Sequence, residues 1–419
     1  MSVTAPSRAF SQAEQSLVDR AAAALMRSAA GNSERQNALS MLKQEGLPSR
    51  RTEAWHYTDL RNLLGRVGSA GTGAPAGDAD ILAPLLPNGH VVEIGAATDV
   101  NPLAGVTVQQ VDKLPEWKTA LNHLDREFDT IRLLSVAFGA KATKIDVAAG
   151  ETPGGSIELR AEPSASGSHT YAICDVGDEA KAVFVERLSA TSAGSLATSV
   201  ADLKIGDGAE VLWIVDQEKG AGETHLSQFN VTLGKDAKLL LFVLNAGGGL
   251  VRSEVHAITE GEGAEIRIRG VNLLKEGQHV DVTTTLNHLV PNTTATETFR
   301  NVVTGGQGVF QGMIRVSQDA QKTDAKMACN SLLLSDDGGF SAKPELEIFA
   351  DDVQCGHGAT AGEIDADHLF YLMSRGIPER QARALLVRAF VDEVVEEIDD
   401  EPVVEALEAR IDRWLEAHG

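Results

Sequence analysis

From residue 141 to 364 the chain alternates short apolar runs with Gly, Asp and Asn turns. SIEL, YAICDV, AVFVERL, VLWIVD, LLLFVLN, EIRIRG, VDVTTTLNHL and ELEIFA are among the runs. None carries a helical period. The turns repeat one form, G-x-x-A-x followed by apolar residues, at Gly177–Ala180, Gly206–Ala209, Gly234–Ala237 and Gly261–Ala264. The alanines recur at intervals of 29, 28 and 27, and Ala295 in Pro291-Asn-Thr-Thr-Ala is read as continuing the series at 31. A repeat of this length is too short for a strand–helix–strand unit, so stacked β coils, a parallel β-helix, are expected. A β-sandwich is the alternative; unequal spacing would suit it better.

The two ends read differently. Ser11 with Glu14 has the form of a capping box ahead of Leu17, Ala21, Ala24 and Leu25 at helical spacing. A second helix is expected over 33–45, stopped by Gly46 and Pro48. Arg50 to Leu60, RRTEAWHYTDL, suggests a packed, hydrogen-bonded junction, and 68–77 a flexible linker. Short helices are expected at 115–123 and 125–138. After the β region, Asp365 caps an apolar helix at 366–374, and Pro378 opens one reaching about 398. In that helix Leu386, Phe390 and Val394 form one row, and Val387, Val391, Val395 and Ile398 the adjacent one. Pro402 opens a last helix. The expected division is 1–140 mostly helical, 141–364 β-helix and 365–419 helical, the last either a plain cap or a cap with part of its apolar face left for a partner.

Composition narrows the function. Of 419 residues 43% are apolar, and Lys+Arg 37 against Asp+Glu 60 leaves a net charge of −23. So acidic a chain repels phosphate backbones, which argues against nucleic acid and anionic membranes as partners. Three scattered cysteines are no disulfide framework. The N-terminus lacks a basic region followed by an apolar run, and no stretch of about 18 apolar residues occurs. A cytoplasmic protein is expected.

The chemistry lies in PELEIFADDVQCGHGATAGE. Cys355 and His357 stand two apart, so on a strand thiol and imidazole share a face. That pair suits zinc, copper or iron–sulfur better than a hard cation, yet two ligands do not close a structural zinc site. A buried Cys beside a turn His is the plainer reading. The interval from Cys329 to Cys355, 26, is close to the period and places Cys329 one coil away; its apolar neighbours equally suit a structural role. No nucleophile–base–orienter set and no G-x-x-x-x-G-K-[ST] run occurs. Two other functions stay open: a polysaccharide-active β-helix enzyme, with Asp351-Asp352 the one carboxylate pair near the site, and a self-sufficient zinc protein.

R-x-E-x-W-x-Y-T-x-L at 51–60, the Gly-punctuated β body, DDVQCGHGAT and DHLFYLMSRGIPERQARALLVRAF together resemble the SufD family of the SUF iron–sulfur cluster assembly scaffold, over essentially the full length. C-G-H-G-A-T, where SufB-like chains carry an H-E-A-T form, favours the SufD side. The resemblance implies a mainly β fold, a right-handed parallel β-helix between helical N- and C-terminal domains. It implies a non-catalytic scaffold subunit that pairs with a SufB-like paralogue and binds a SufC-like ABC ATPase through its C-terminal helices. Leu386, Phe390, Val394, Val387 and Val391 are the expected partner-binding positions. His357, with Cys355 beside it, would hold a transient iron–sulfur cluster shared with the paralogue. A homodimer of the isolated chain and a flavin in the complex are compatible with the resemblance.

Overall fold

The computed structural model describes residues 10–26, 33–67, 83–95, 103–111, 129–161, 167–190 and 194–418. The linker at 68–77, the helix expected at 115–123 and the start of the one expected at 125–138 lie outside the described residues. Among the described residues the chain forms two sheets of nine strands. One sheet holds β1 (His90–Ile94) and the even-numbered strands from β4 (Ile157–Ala161) onward. The other holds β2 (Val106–Val111) and the odd-numbered strands from β3 (Lys141–Val147) onward. From β3 on, each strand pairs in parallel with the strand two further along, while β2 pairs antiparallel with β3. This is the pairing of a two-sheet β-solenoid, not of a sandwich, and it begins inside the stretch 1–140 read as mostly helical.

One turn device sets the coil length. Ala180, Ala209, Ala237 and Ala264 are fully buried and stacked, each carbonyl accepting from the backbone N–H that follows the next column residue, as in Lys238 N to Ala209 O at 2.8 Å. The residue just before the column is left-handed in coil after coil: Glu179, Gly208, Asp236, Gly263, Asn292 and Lys322 have φ between 52° and 79°. A side chain there is strained, which accounts for the Gly, Asp and Asn enrichment of these turns. The same marker corrects the fifth repeat. Asn292 precedes Thr293, so Thr293 holds the column, and Ala295 pairs with Ile266 two positions further on. Along the even-numbered sheet the coil interval runs from 27 at Asn245–Asn272 to 30 at Asn330–Thr360.

The space between the sheets is one apolar core, with Trp213 stacked on Phe184 and edge-on to Phe229. Along one corner runs a buried amide ladder. Asn245 Nδ2 donates to Asn272 Oδ1 at 2.7 Å, Asn272 to Asn301 at 2.7 Å, and Asn301 to Ser331 Oγ at 2.9 Å. Each amide satisfies the next where a lone one would cost desolvation.

Helices cover both outer faces. The capping box forms, with Ser11 N to Glu14 Oε2 at 2.7 Å and Glu14 N to Ser11 Oγ at 3.2 Å. It starts α1 (Gln12–Met26), which packs with α2 (Ser33–Glu45), α3 (Leu60–Val67) and α4 (Thr130–Phe138) against the odd-numbered sheet. The RRTEAWHYTDL junction crosses that sheet. Trp55 is buried under the Arg252 guanidinium, 4.0 Å from the ring centre, and Ala54 O accepts from Arg252 Nη2 at 2.8 Å. Thr58 meets His279 Nε2 at 2.8 Å and donates to Asp281. The arginine of the junction is therefore Arg252 from the solenoid; Arg50 and Arg51 are both exposed.

At the other end α5 (Ala366–Ser374), α6 (Glu379–Val395) and α7 (Glu401–His418) follow the solenoid. α6 and α7 lie on the outer face of the even-numbered sheet, not over its end. Val387, Val391, Val394, Val395, Leu407 and Ile411 pack on Ile214, Phe242, Val271 and Val302. Glu393 and Glu397 pair with Arg300 at 2.6 Å and Arg269 at 2.5 Å. Arg410 reaches Asp216 at 2.9 Å and Glu218 at 2.5 Å.

Candidate metal centre

With the helices on its side, the solenoid ends open. β17 (Gly339–Ile348) and β18 (Gln354–Gly362) are the terminal strands of the two sheets, each pairing on one edge only among the described residues. β18 lies on β16 (Asp324–Leu333), with Cys355 opposite Ala325, His357 opposite Met327 and Ala359 opposite Cys329. Ala325, Met327 and Cys329 are buried in the core, so Cys355, His357 and Ala359, on the same face, point into the mouth of the lumen. Cys355 is half-buried against that core and His357 is exposed. Phe340 and Leu346 of β17 line the facing wall.

The mouth therefore brings the two expected ligands together and adds no third hard one. Among the described residues no group of three or more His, Cys, Asp and Glu is placed to hold a metal ion. Burial pushes the Cys355 thiol up, the Ala325 backbone offsets part of this, and Asp324 adds to it. It is a thiol until a metal displaces its proton.

Cys329 is on the neighbouring strand as the period implied, but four positions along from Cys355, about 13 Å. The coil interval here is 30, not 26. Burial pushes its thiol up to about 12, and Asn301 Nδ2 donates to its sulfur at 3.3 Å. Cys329 and the fully buried Cys174 are structural.

Two features of the mouth were missed in the sequence. Gly356, Gly358 and Gly362 lie on the outer side of β18 without a positive φ, and a Cβ on any of them would meet nothing within 4 Å. This fold does not require glycine there, although glycine weakens a strand. Below the mouth, Glu297 faces the lumen two coils in, beneath Met327. Neither of its oxygens completes a hydrogen bond, the Thr284 hydroxyl approaching without a well-formed one. Burial pushes the carboxyl up to about 7, Thr284 and Arg269 offsetting only part.

The helical positions need correction. Val387, Val391 and Val394 are buried against the chain's own sheet, because that face is apolar and takes the valine row. Phe390 is half-buried and Leu386 partly covered; they line an open cleft of about 520 Å³ with Arg300, Thr360, Gly362 and His368. The freely exposed apolar side chains are others: Phe370 72%, Tyr371 56%, Met373 42% and Leu385 46%. No residue of α5 is buried. Apolar residues all round a short helix, in DHLFYLMS, were the available signal.

Residues 159–390, more than half the chain, match the SUF system FeS cluster assembly, SufBD core domain. The chain belongs to the SufBD family. Iron–sulfur cluster assembly protein SufD of Escherichia coli is 28% identical over 91% of this chain and 92% of its own length. An iron–sulfur cluster assembly SufBD family protein of Mycobacterium tuberculosis is 27% identical over 88% and 90%. Protein ABCI7, chloroplastic, of Arabidopsis thaliana is 30% identical over 45% of this chain and 40% of its own. Like its family, the chain is an iron–sulfur cluster assembly protein. None of its described helices is long and apolar enough to cross a membrane.

Proposed function

We propose that this SufBD protein is a non-catalytic scaffold subunit whose open solenoid end pairs with a SufB-like paralogue and presents His357 and Cys355 to a nascent cluster. The observation that carries the reading is the open mouth itself. A thiol and an imidazole stand in the mouth of a lumen whose terminal strands β17 and β18 each keep a free edge among the described residues, so a second solenoid that extends both sheets would also complete the ligand set. The bare glycine face of β18 suits close approach of that partner. The cluster is cargo, shared and released. The exposed α5 and the start of α6, with Phe370, Tyr371, Met373 and Leu385, form the docking surface for a SufC-like ABC ATPase; Leu386 and Phe390 are its inner edge.

The polysaccharide-enzyme alternative finds no support at the site, since Asp352 is engaged with Lys322 and Asp351 stands exposed beside it.

The test is iron and acid-labile sulfide per assembled complex. His357→Ala removes an exposed side chain, so folding and assembly should persist while cluster content falls about 10–100-fold. Cys355→Ser should be milder if the half-buried thiol mainly packs. Equal cluster content in wild type and His357→Ala, with assembly confirmed by gel filtration, returns His357 to a structural role.

A further inference from the structure

We propose that Met327 supplies a thioether as third donor to a soft monovalent cation, Cu(I), held by Cys355 and His357; this rests on the mouth being a metal-binding site. Met327 lies directly beneath His357 in the strand register and on the same lumen-facing side. Neighbouring strands sit about 4.8 Å apart and alternate residues on one strand about 7 Å apart. The three side chains therefore rise from the corners of a triangle with a longest edge of about 8 Å, within reach of one ion.

The thioether has a built seat. Met327 is buried, and its sulfur lies where a Cβ on Gly312 of β15 (Gln307–Val316) would stand. Gly312 is not among the glycines of positive φ, so its backbone does not demand glycine; the space above it is taken by the Met327 sulfur. The floor of the mouth is therefore a sulfur atom held in place from the opposite sheet.

The donor set selects the ion. Thiolate, thioether and imidazole favour Cu(I), whereas a structural zinc site needs four strong ligands and closes only with a partner's help. Binding breaks the Cys355 S–H bond, forms a Cu–S bond and releases one proton to solvent; no electron moves. Cys329 is a poor substitute, lying diagonally from His357 with its sulfur engaged by Asn301. Glu297 offers hard oxygen and lies a further coil down.

The experiment measures Cu(I) partition between the full-length chain and bicinchoninate without oxygen, and Zn²⁺ partition against a chromophoric chelator. Circular dichroism confirms each variant's fold. Met327→Leu keeps the volume of the floor and removes the sulfur. It should weaken Cu(I) about tenfold or more and leave Zn²⁺ within about twofold, the size of effect that loss of a supporting group at a metal site commonly has. Gly312→Ala should reproduce the Cu(I) loss by displacing the thioether. Unchanged Cu(I) affinity in Met327→Leu, with losses in His357→Ala and Cys355→Ser, overturns the third donor and leaves the mouth reading standing. Cu(I) binding indifferent to His357→Ala and Cys355→Ser overturns both. A loss in Cys329→Ser equal to that in Met327→Leu assigns the role to the inner thiol and overturns the thioether.

Discussion

Glu297→Gln should flatten part of the pH dependence of stability. Glu297 is buried in the lumen among apolar side chains, without a completed hydrogen bond, and its carboxyl is raised from 4.5 to about 7. In the unfolded chain it ionises near its ordinary value; in the folded chain it keeps its proton until about pH 7. Below pH 4.5 both states are protonated and its stabilising effect is fully present. Between 4.5 and about 7 the unfolded state alone loses the proton, so stability falls by about 1.4 kcal/mol per pH unit, and above that the loss is complete. The full span is about 3 kcal/mol. With a pI of about 4.9 the chain is least soluble at the acid end, so the working window is about pH 5.5 to 8, where about 2 kcal/mol should be lost. A glutamine in its place has no charge to bury. The assay is urea unfolding followed by circular dichroism at both pH values, with the two chains compared at each. The difference between wild type and Glu297→Gln should move by about 2 kcal/mol in favour of the variant across that window. Parallel profiles would refute the claim that the lumen holds this carboxyl neutral.

Three further outcomes are expected. Asn272→Ala interrupts the amide ladder and leaves Asn245 and Asn301 each short of a partner, so it should cost about 2–4 kcal/mol, read as a lower urea midpoint; a loss under about 1 kcal/mol means the ladder is dispensable. Trp55→Ala removes the buried ring under Arg252 and should cost about 3–5 kcal/mol, read the same way, while a near-neutral effect shows that the junction does not anchor the N-terminal helices. Phe370→Ser with Tyr371→Ser changes only exposed side chains, so the circular dichroism spectrum should be unchanged while binding of the SufC-like ATPase drops about tenfold or more; retained binding moves the docking surface elsewhere.

Local backbone physics was legible in the sequence. The capping box at Ser11 and Glu14, the N-cap at Asp365 and the G-x-x-A turns each state a conformation through residues close in the chain, and the structure forms all of them. The near-constant interval between turns implied stacked coils because each coil must bury a small residue, alanine or threonine, at the same column position. The Cys355–His357 pair was legible for the same reason, since two positions apart on a strand means one face. What the sequence left open depends on partners far along the chain. Val387, Val391 and Val394 form an apolar face whether it meets another protein or the chain's own sheet, and only packing on Ile214, Phe242 and Val271 decides it. The coil interval drifts along the even-numbered sheet, from 27 at Asn245 to 30 at Asn330, and that drift moves Cys329 from beside Cys355 to beside Ala359. Asn245, Asn272 and Asn301 read as turn-forming polar residues until stacking aligns their amides in one buried column. Whether the helices cover the end of the solenoid or its side is equally decided by distant partners: the valines of α6 pack on the apolar outer face of the even-numbered sheet, leaving Cys355 and His357 at an open mouth.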